Sequence, residues 1–253
     1  LLEVDSVDTG STLTNHEIAA YIEDEVKIGT KLVFCAGMRY AVFLTDDTAY
    51  HSPEPRLSVK YRISEQSSLE AAWGITSQHL HLLTNSSVGF PTDQWVPVTD
   101  RIKPSYAQQF NIAYRQEIGS WLMVSIEAFY KRMKNLLEYE ESADLSNYWE
   151  DIVVQGMGES KGLEFMLQKE FGRTTGWIAY TLSKSDRTFP GLNYGISYPY
   201  KYDRRHDIKI VLMQKINDRW EMGINWLFST GHAVTLPLER ISVPPTEYYF
   251  DAY

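Results

Sequence analysis

The sequence has one cysteine, Cys35, and no stretch that approaches eighteen consecutive apolar residues. A lone thiol excludes an internal disulfide framework and a cysteine zinc cluster. Without a long apolar run there is no transmembrane helix, which needs about twenty such residues. The opening LLEVDSVDTG has no basic region leading into an apolar core, so no secretory leader is read there. For an exported protein that absence is expected from processing or truncation. Basic charge is also short. Lys and Arg number 24 against 33 Asp and Glu, a net charge of −9, which gives no footing for nucleic acid. No repeat, low-complexity tract or domain boundary interrupts the chain, so 1–253 reads as one domain.

Aromatics are plentiful: 17 Tyr and 7 Trp in 253 residues. Each has an apolar body and a polar tip, which suits a water–lipid boundary. A mean hydropathy of −0.32 is compatible with a membrane barrel, because only every second residue of a barrel strand faces lipid. Period-two alternation is the main signal. In WLMVSIEAFYKRM (121–133), Leu122, Val124, Ile126, Ala128 and Tyr130 oppose Ser125, Glu127 and Lys131. In LSVKYRI (57–63), Leu57, Val59, Tyr61 and Ile63 oppose Ser58, Lys60 and Arg62. Ten such segments are predicted, at 15–28, 31–44, 55–64, 68–77, 104–118, 121–133, 159–171, 174–184, 202–216 and 219–230. Most run about 10–15 residues, whereas globular strands run about 5–6 and tilted membrane-spanning strands about 9–11.

Short turns are predicted at Gly29-Thr30, Glu65-Gln66-Ser67, Gly119-Ser120, Gly172-Arg173 and Asn217-Asp218. Long connections alternate with them, at 45–54, 78–103, 134–158, 185–201 and from 231 onward. Short–long alternation is what an antiparallel up-and-down transmembrane barrel with short periplasmic turns requires. A Greek-key sandwich has no reason to keep that order. Lipid offers no hydrogen-bond partner, so such a sheet must close, with the apolar face toward lipid and the polar face toward the lumen. The predicted lumenal face carries Arg39, Lys60, Arg62, Glu70, Arg115, Glu127, Lys131, Glu164, Gln168 and Lys209. So many long charged side chains need water or a polar plug, which points to part of a wide barrel. The alternative is a large soluble sheet with one wet face. It would expose a continuous apolar patch that soluble monomers avoid.

Several runs, in order, resemble the barrel of TonB-dependent receptors, especially the Bacteroidetes type that carries a carboxypeptidase-regulatory-like extension. They are AAYIEDEVKIGTKLVFCAGMRY (19–40), EPRLSVKYRI (54–63), the stretch from Gln78 to Tyr114, IEAFYKRMKNLLEYEE (126–141), GESKGLEFMLQKEFGRTTGWIAYTLSKSDRTF (158–189), YDRRHDIKIV (202–211) and WLFSTGHAVTLP (226–237). The resemblance implies a barrel of about 22 strands plugged by an N-terminal globular domain, of which this chain holds about ten strands. It implies residence in the bacterial outer membrane and import of a small-molecule or oligomeric ligand, powered through the TonB complex. Neither plug, TonB box nor terminal strands are read in this sequence. A surface lipoprotein partner is known in part of the family. No cofactor is implied.

Candidate sites lie in the outer loops. His79 and His81 sit two apart. A metal pair is conceivable, but without Cys or carboxylate partners a plain loop or girdle role is preferred. In FPTDQW, Asp93 and Trp95 could contact ligand, but turns set by Pro91 and Asp93 with Trp95 packing the loop onto the barrel are preferred. Trp149, Tyr148, Tyr194, Tyr198 and Tyr200 either stack on a ligand or sit in the interfacial belt. Tyr202 to Asp207, a dense charged run, reads as a rim network in preference to a catalytic Asp–His pair. Glu138, Glu140, Glu141, Asp144, Glu150 and Asp151 read as a solvated acidic loop in preference to a calcium site, since the EF-hand spacing is missing. Ser229 and Gly231 make no nucleophile elbow, and GMGES (156–160) lacks the lysine of a phosphate loop, so no enzyme is expected. The expected function is ligand uptake by an energy-coupled receptor. A passive porin and an adhesion or assembly barrel remain as alternatives.

Overall fold

The structure is a computed structural model and describes residues 14–83, 94–140, 148–231 and 233. Ten long strands run in chain order: β1 (His16–Ile28), β2 (Leu32–Leu44), β3 (Ala49–Arg62), β4 (Ser67–Gln78), β7 (Ser105–Ile118), β8 (Leu122–Tyr139), β9 (Val153–Lys169), β10 (Thr174–Thr188), β12 (His206–Lys215) and β13 (Glu221–Ser229). All pair antiparallel with their neighbours, so spatial order copies chain order from β1 to β13. The two-residue β11 (Tyr198–Pro199) adds to β10, and β5 (Leu80–Leu83) with β6 (Gln94–Pro97) forms a separate hairpin. Each of the ten predicted segments becomes one long strand. Among the described residues β1 and β13 are the sheet edges and do not pair with each other.

The tight turns fall where they are predicted. Gly29 and Gly119 take φ of 63° and 61°, a left-handed conformation that costs only glycine nothing. Asn217 closes the β12–β13 turn, its Oδ1 accepting the N–H groups of Arg219 (2.9 Å) and Trp220 (3.0 Å). At the opposite end the strands run further than the alternation predicts. β3 begins at Ala49, leaving only residues 45–48 for a connection read as 45–54, and β8 and β9 extend into 134–158. The start of β3 contains Pro53 and Pro55. Both keep register with β2, opposite Tyr40 and Met38, while the β3–β4 ladder reaches only to Arg56. Their missing N–H groups therefore face a side where no ladder bond is needed.

Register fixes the faces. Ile18, Ile22, Phe34, Tyr40, Leu57, Tyr61, Leu69, Phe110, Ile112, Ile126, Leu163, Phe165, Ile224 and Trp226 share one face, and each is at least a third exposed. The apolar rows are thus not sealed in a core. The buried core lies at the long-connection end, where the β5–β6 hairpin meets β8 and β9. Leu83, Val96, Ile102, Leu137, Ile152 and Val153 cluster there, with Tyr139 and Trp149 packed against them.

Candidate functional site

On the sheet's polar face, the predicted lumenal residues Arg39, Lys60, Arg62, Arg115, Glu127, Lys131 and Glu164 fall on one side by register. Arg39 bridges three strands, donating from Nη2 to Glu17 (2.7 Å) and from Nη1 to Glu54 (3.0 Å). Glu54 is buried and also accepts from the N–H (3.0 Å) and hydroxyl of Ser77. That side chain replaces the backbone ladder that the prolines interrupt. Lys60 lies opposite Glu70, and Arg115 approaches the same carboxylate at 3.8 Å. Glu127 takes a hydrogen bond from Asn111 (2.5 Å), not an ion pair with Lys131, and sits directly opposite Glu164. Two like charges face to face across strands disfavour the pairing. Small residues, among them Cys35, Gly37, Ser58, Ala72 and Gly74, open a hollow of about 430 Å³ on the same face.

The outer-end hairpin is fixed by two histidines. The ring of His79 stacks on Phe43 at 4.8 Å, its Nε2 lies 3.1 Å from the Ser52 hydroxyl, and its Nδ1 lies 3.5 Å from Glu17. His81 donates from Nε2 to the Lys103 carbonyl (3.1 Å), and its Nδ1 meets the Ser105 hydroxyl (3.2 Å). Both rings are buried, and no group of three metal-ligating side chains occurs among the described residues. Their work here is structural. Burial pulls the His79 imidazole down, opposed by Glu17, and brings His81 down to about 4. Between roughly pH 4 and 6.5 the unfolded imidazole binds a proton that the docked ring does not. Docking of the hairpin is therefore strongest above that window and weakens as pH falls through it, by about 3 kcal/mol at most for His81. Amide protection in 80–83 and 94–97, relative to the intrinsic exchange rate at each pH, should fall from pH 7 toward pH 4, and His81→Gln should flatten that dependence.

The predicted ligand contacts do not converge. Trp95 lies on β6 opposite Leu82 and is 61% exposed, so it does not pack the loop down. Tyr194, at φ 55°, is 98% exposed. Trp149 packs on the apolar cluster, and Tyr198 pairs with Arg187 and lies 6.4 Å from the Phe189 ring. Asp93, like Pro91, Glu141 and Asp144, lies outside the described residues. Among the acidic residues that are described, Glu150 and Asp151 pair with Arg101 at 3.5 and 2.7 Å. The charged run is a network. Asp203 accepts the Ser185 N–H (2.7 Å), Arg204 donates to the Ser229 hydroxyl (2.9 Å), and His206 Nδ1 meets the Tyr180 hydroxyl (2.9 Å). His206 and Asp207 are consecutive strand residues and point to opposite faces, so they form no catalytic pair.

Sequence reasoning did not find the Ser52–Glu54–His79 network or the desolvated Arg187. The latter lies under the Tyr200 ring at 4.0 Å, with no hydrogen-bond partner at Nε among the described residues. Alternation shows which side chains share a face, not which loops fold back over them.

Known barrels have this geometry. The structure resembles the FrpB iron transporter of Neisseria meningitidis (TM-score 0.61, 15% identity, 84% of this chain and 33% of that one). It also resembles the ferripyoverdine receptor of the outer membrane of Pseudomonas aeruginosa bound to ferripyoverdine (0.60, 12%, 87% and 31%). A third likeness is to the alcaligin outer-membrane receptor FauA of Bordetella pertussis (0.57, 13%, 85% and 38%). These likenesses show the fold, and the chain spans about a third of the length of the solved chains it matches. No curated protein matches the sequence. Over residues 3–249 the sequence matches the model of the TonB dependent receptor-like β-barrel. The fold is a section of an antiparallel outer-membrane barrel, and the chain belongs to the TonB-dependent receptor β-barrel family. Members of that family are bacterial outer-membrane transporters, not enzymes.

Proposed function

We propose that this chain forms part of the barrel wall of an outer-membrane receptor that imports a ligand with energy delivered through TonB. The observation that carries the reading is the family match across nearly the whole chain, joined to a sheet whose exposed apolar rows and charged rows alternate. The apolar face meets lipid and the polar face meets a plug domain and the permeation path. Arg39, Lys60, Arg62, Arg115, Glu127, Lys131 and Glu164 are the plug-facing set. Trp95, Asp93, Trp149, Tyr194 and Tyr198 belong to the ligand-capturing end. Of these, Trp95 and Tyr194 are the most accessible. Iron chelates are the first ligands to test, because the similar solved proteins include an iron transporter and a receptor bound to ferripyoverdine. A surface lipoprotein is a further candidate partner.

Coupling requires that the ligand bind two plug states with different affinity. Uptake of labelled ferric chelates by cells expressing the full-length protein should cease when TonB is deleted, while surface binding persists. Uptake that survives the deletion would mark a passive pore and end the proposal. Glu127 and Glu164 face each other without an ion pair to either among the described residues, so a cationic group of the plug is the natural partner. Glu164→Gln is expected to stabilise the isolated barrel by a few tenths of a kcal/mol and to slow uptake severalfold. Thermal unfolding and the uptake rate check the two halves separately.

A further inference from the structure

β8 and β9 pair without a break up to Lys134 and then slip by one residue. Lys134 lies opposite Met157, Leu136 opposite Gly156 and Glu138 opposite Val154. The extra residue, Asn135, takes φ of 55°. Before this bulge the polar-face residues of β8 are odd-numbered, as Glu127, Lys131 and Met133 are, and beyond it they are even-numbered. Glu138 is thereby turned to the face that holds Arg187, since Arg187 and Met133 share Gly158 as register partner. A bulge is a means of re-aiming a side chain, and bulges gather beside functional sites.

Arg187 lies in a prepared bed. A Cβ on Gly158 would stand 2.8 Å from its Nη1, so the absent side chain is what lets the guanidinium rest against β9. The Tyr200 ring covers it at 4.0 Å. Nη1 reaches the Met133 sulfur at 3.8 Å, a weak acceptor, and Nε has no hydrogen-bond partner among the described residues. Glu138 is 7% exposed and close enough to act on Arg187 through its charge, yet the two make no ion pair among the described residues. Both line one cavity of about 130 Å³, together with Gln78, His81, Phe189 and Tyr200. His81 adds no charge there at neutral pH, because its imidazole titrates at about 4.

Two desolvated charges of opposite sign thus face one cavity without meeting. Each is costly until a counter-charge reaches it. An anion would satisfy Arg187 and be repelled by Glu138, and a cation would do the reverse. A hydroxyl group answers both, but weakly. A molecule that carries a carboxylate and an ammonium a few bonds apart answers both in full. We propose that this cavity binds a small zwitterionic α-amino acid, its carboxylate on the Arg187 guanidinium and its ammonium on the Glu138 carboxylate. A carboxylate accepts several hydrogen bonds, so Glu138 can take the ammonium beside its other contacts. At about 130 Å³ the cavity is far smaller than the roughly 300–1,000 Å³ of sites for drug-sized molecules, so the amino acid has a short side chain. The site goes beyond the transport reading and does not depend on it, because binding needs only the folded outer end.

The full-length protein in detergent micelles is titrated with glycine and with L-alanine by isothermal calorimetry. Acetate, methylammonium and glycerol are run beside them at equal ionic strength. The better of the two amino acids should bind about tenfold or more tightly than acetate or methylammonium. Arg187→Gln and Glu138→Gln should each weaken it by about tenfold or more, while Arg132→Gln, on the opposite face of β8, should leave it within about twofold. Acetate binding as tightly as either amino acid would make the cavity a plain anion site and overturn the proposal. Equal losses in all three variants, or no binding of either amino acid at millimolar concentration, would overturn it too. Should Arg187→Gln fail to fold, seen as lost amide protection in 153–169, Glu138→Gln and the ranking of the five compounds on the unaltered protein decide. Uptake is not the readout, so a negative result leaves TonB-driven import to its own deletion test.

Discussion

Gly176→Val should abolish assembly of the sheet between β10 and β12. Gly176 sits at φ 139°, a conformation that side-chain-bearing residues rarely adopt. A Cβ there would meet the Val211 carbonyl oxygen at 2.0 Å and the Leu212 Cα at 2.9 Å. Both are backbone atoms of the paired strand, so no rotamer change relieves the contact. The strands must part or the register must slip, and a slip of one residue would put Ile208 and Ile210 on the charged face. The expected cost exceeds about 4 kcal/mol, in the range of the most damaging single substitutions. The readout is the fraction of full-length protein in the outer membrane that resists unfolding by detergent at room temperature. Gly231→Ala is the control, since a Cβ there meets nothing within 4 Å. Equal folded fractions for the two variants would refute the close approach of β10 and β12.

Glu54→Ala should unfasten the long-connection end while leaving the tight-turn end intact. The Glu54 side chain is 3% exposed and holds Arg39 and Ser77 together across β2, β3 and β4. Removing it leaves a half-buried guanidinium with Glu17 alone and the Ser77 N–H without its acceptor. Breaking such a pair from one side costs about 3–5 kcal/mol when both partners are buried. Arg39 is 29% exposed, so a loss of about 2–3 kcal/mol is the expected figure. Hydrogen exchange should quicken at 49–55 and 75–83 and stay slow near Gly29 and Ser64. Uniform quickening would mean that Glu54 supports the whole sheet and not its rim. Glu54→Gln should recover part of the loss, because its carbonyl still accepts from Ser77.

The repeated parts of this molecule were legible in the sequence. Period two exposed ten strands and their faces, since Leu57, Val59 and Tyr61 against Ser58, Lys60 and Arg62 allow only one pleat. Gly29, Gly119 and Asn217 marked tight turns through backbone chemistry that is local to those residues. What escaped is non-local. Residues 49–54 read as part of a long connection, and Pro53 and Pro55 fit a strand there because no ladder forms on their β4 side. His79 and His81 looked like loop histidines until Ser52, Lys103 and Ser105, all distant in sequence, proved to be their partners. The candidate ligand aromatics were identified by type and by loop. Type could not separate Trp149, which serves packing, from Trp95, which projects into water.

The order of the ten long strands has a kinetic implication. Each one is joined to its predecessor by a connection that brings them side by side, so an advancing edge always stands ready for the next hairpin. Assembly by sequential addition needs no distant segment to search for its mate, and its entropic barrier grows with each link and not with total length. Between β4 and β7 a separate two-stranded hairpin must be set aside before the edge advances. That step is where a pause in membrane insertion should be sought.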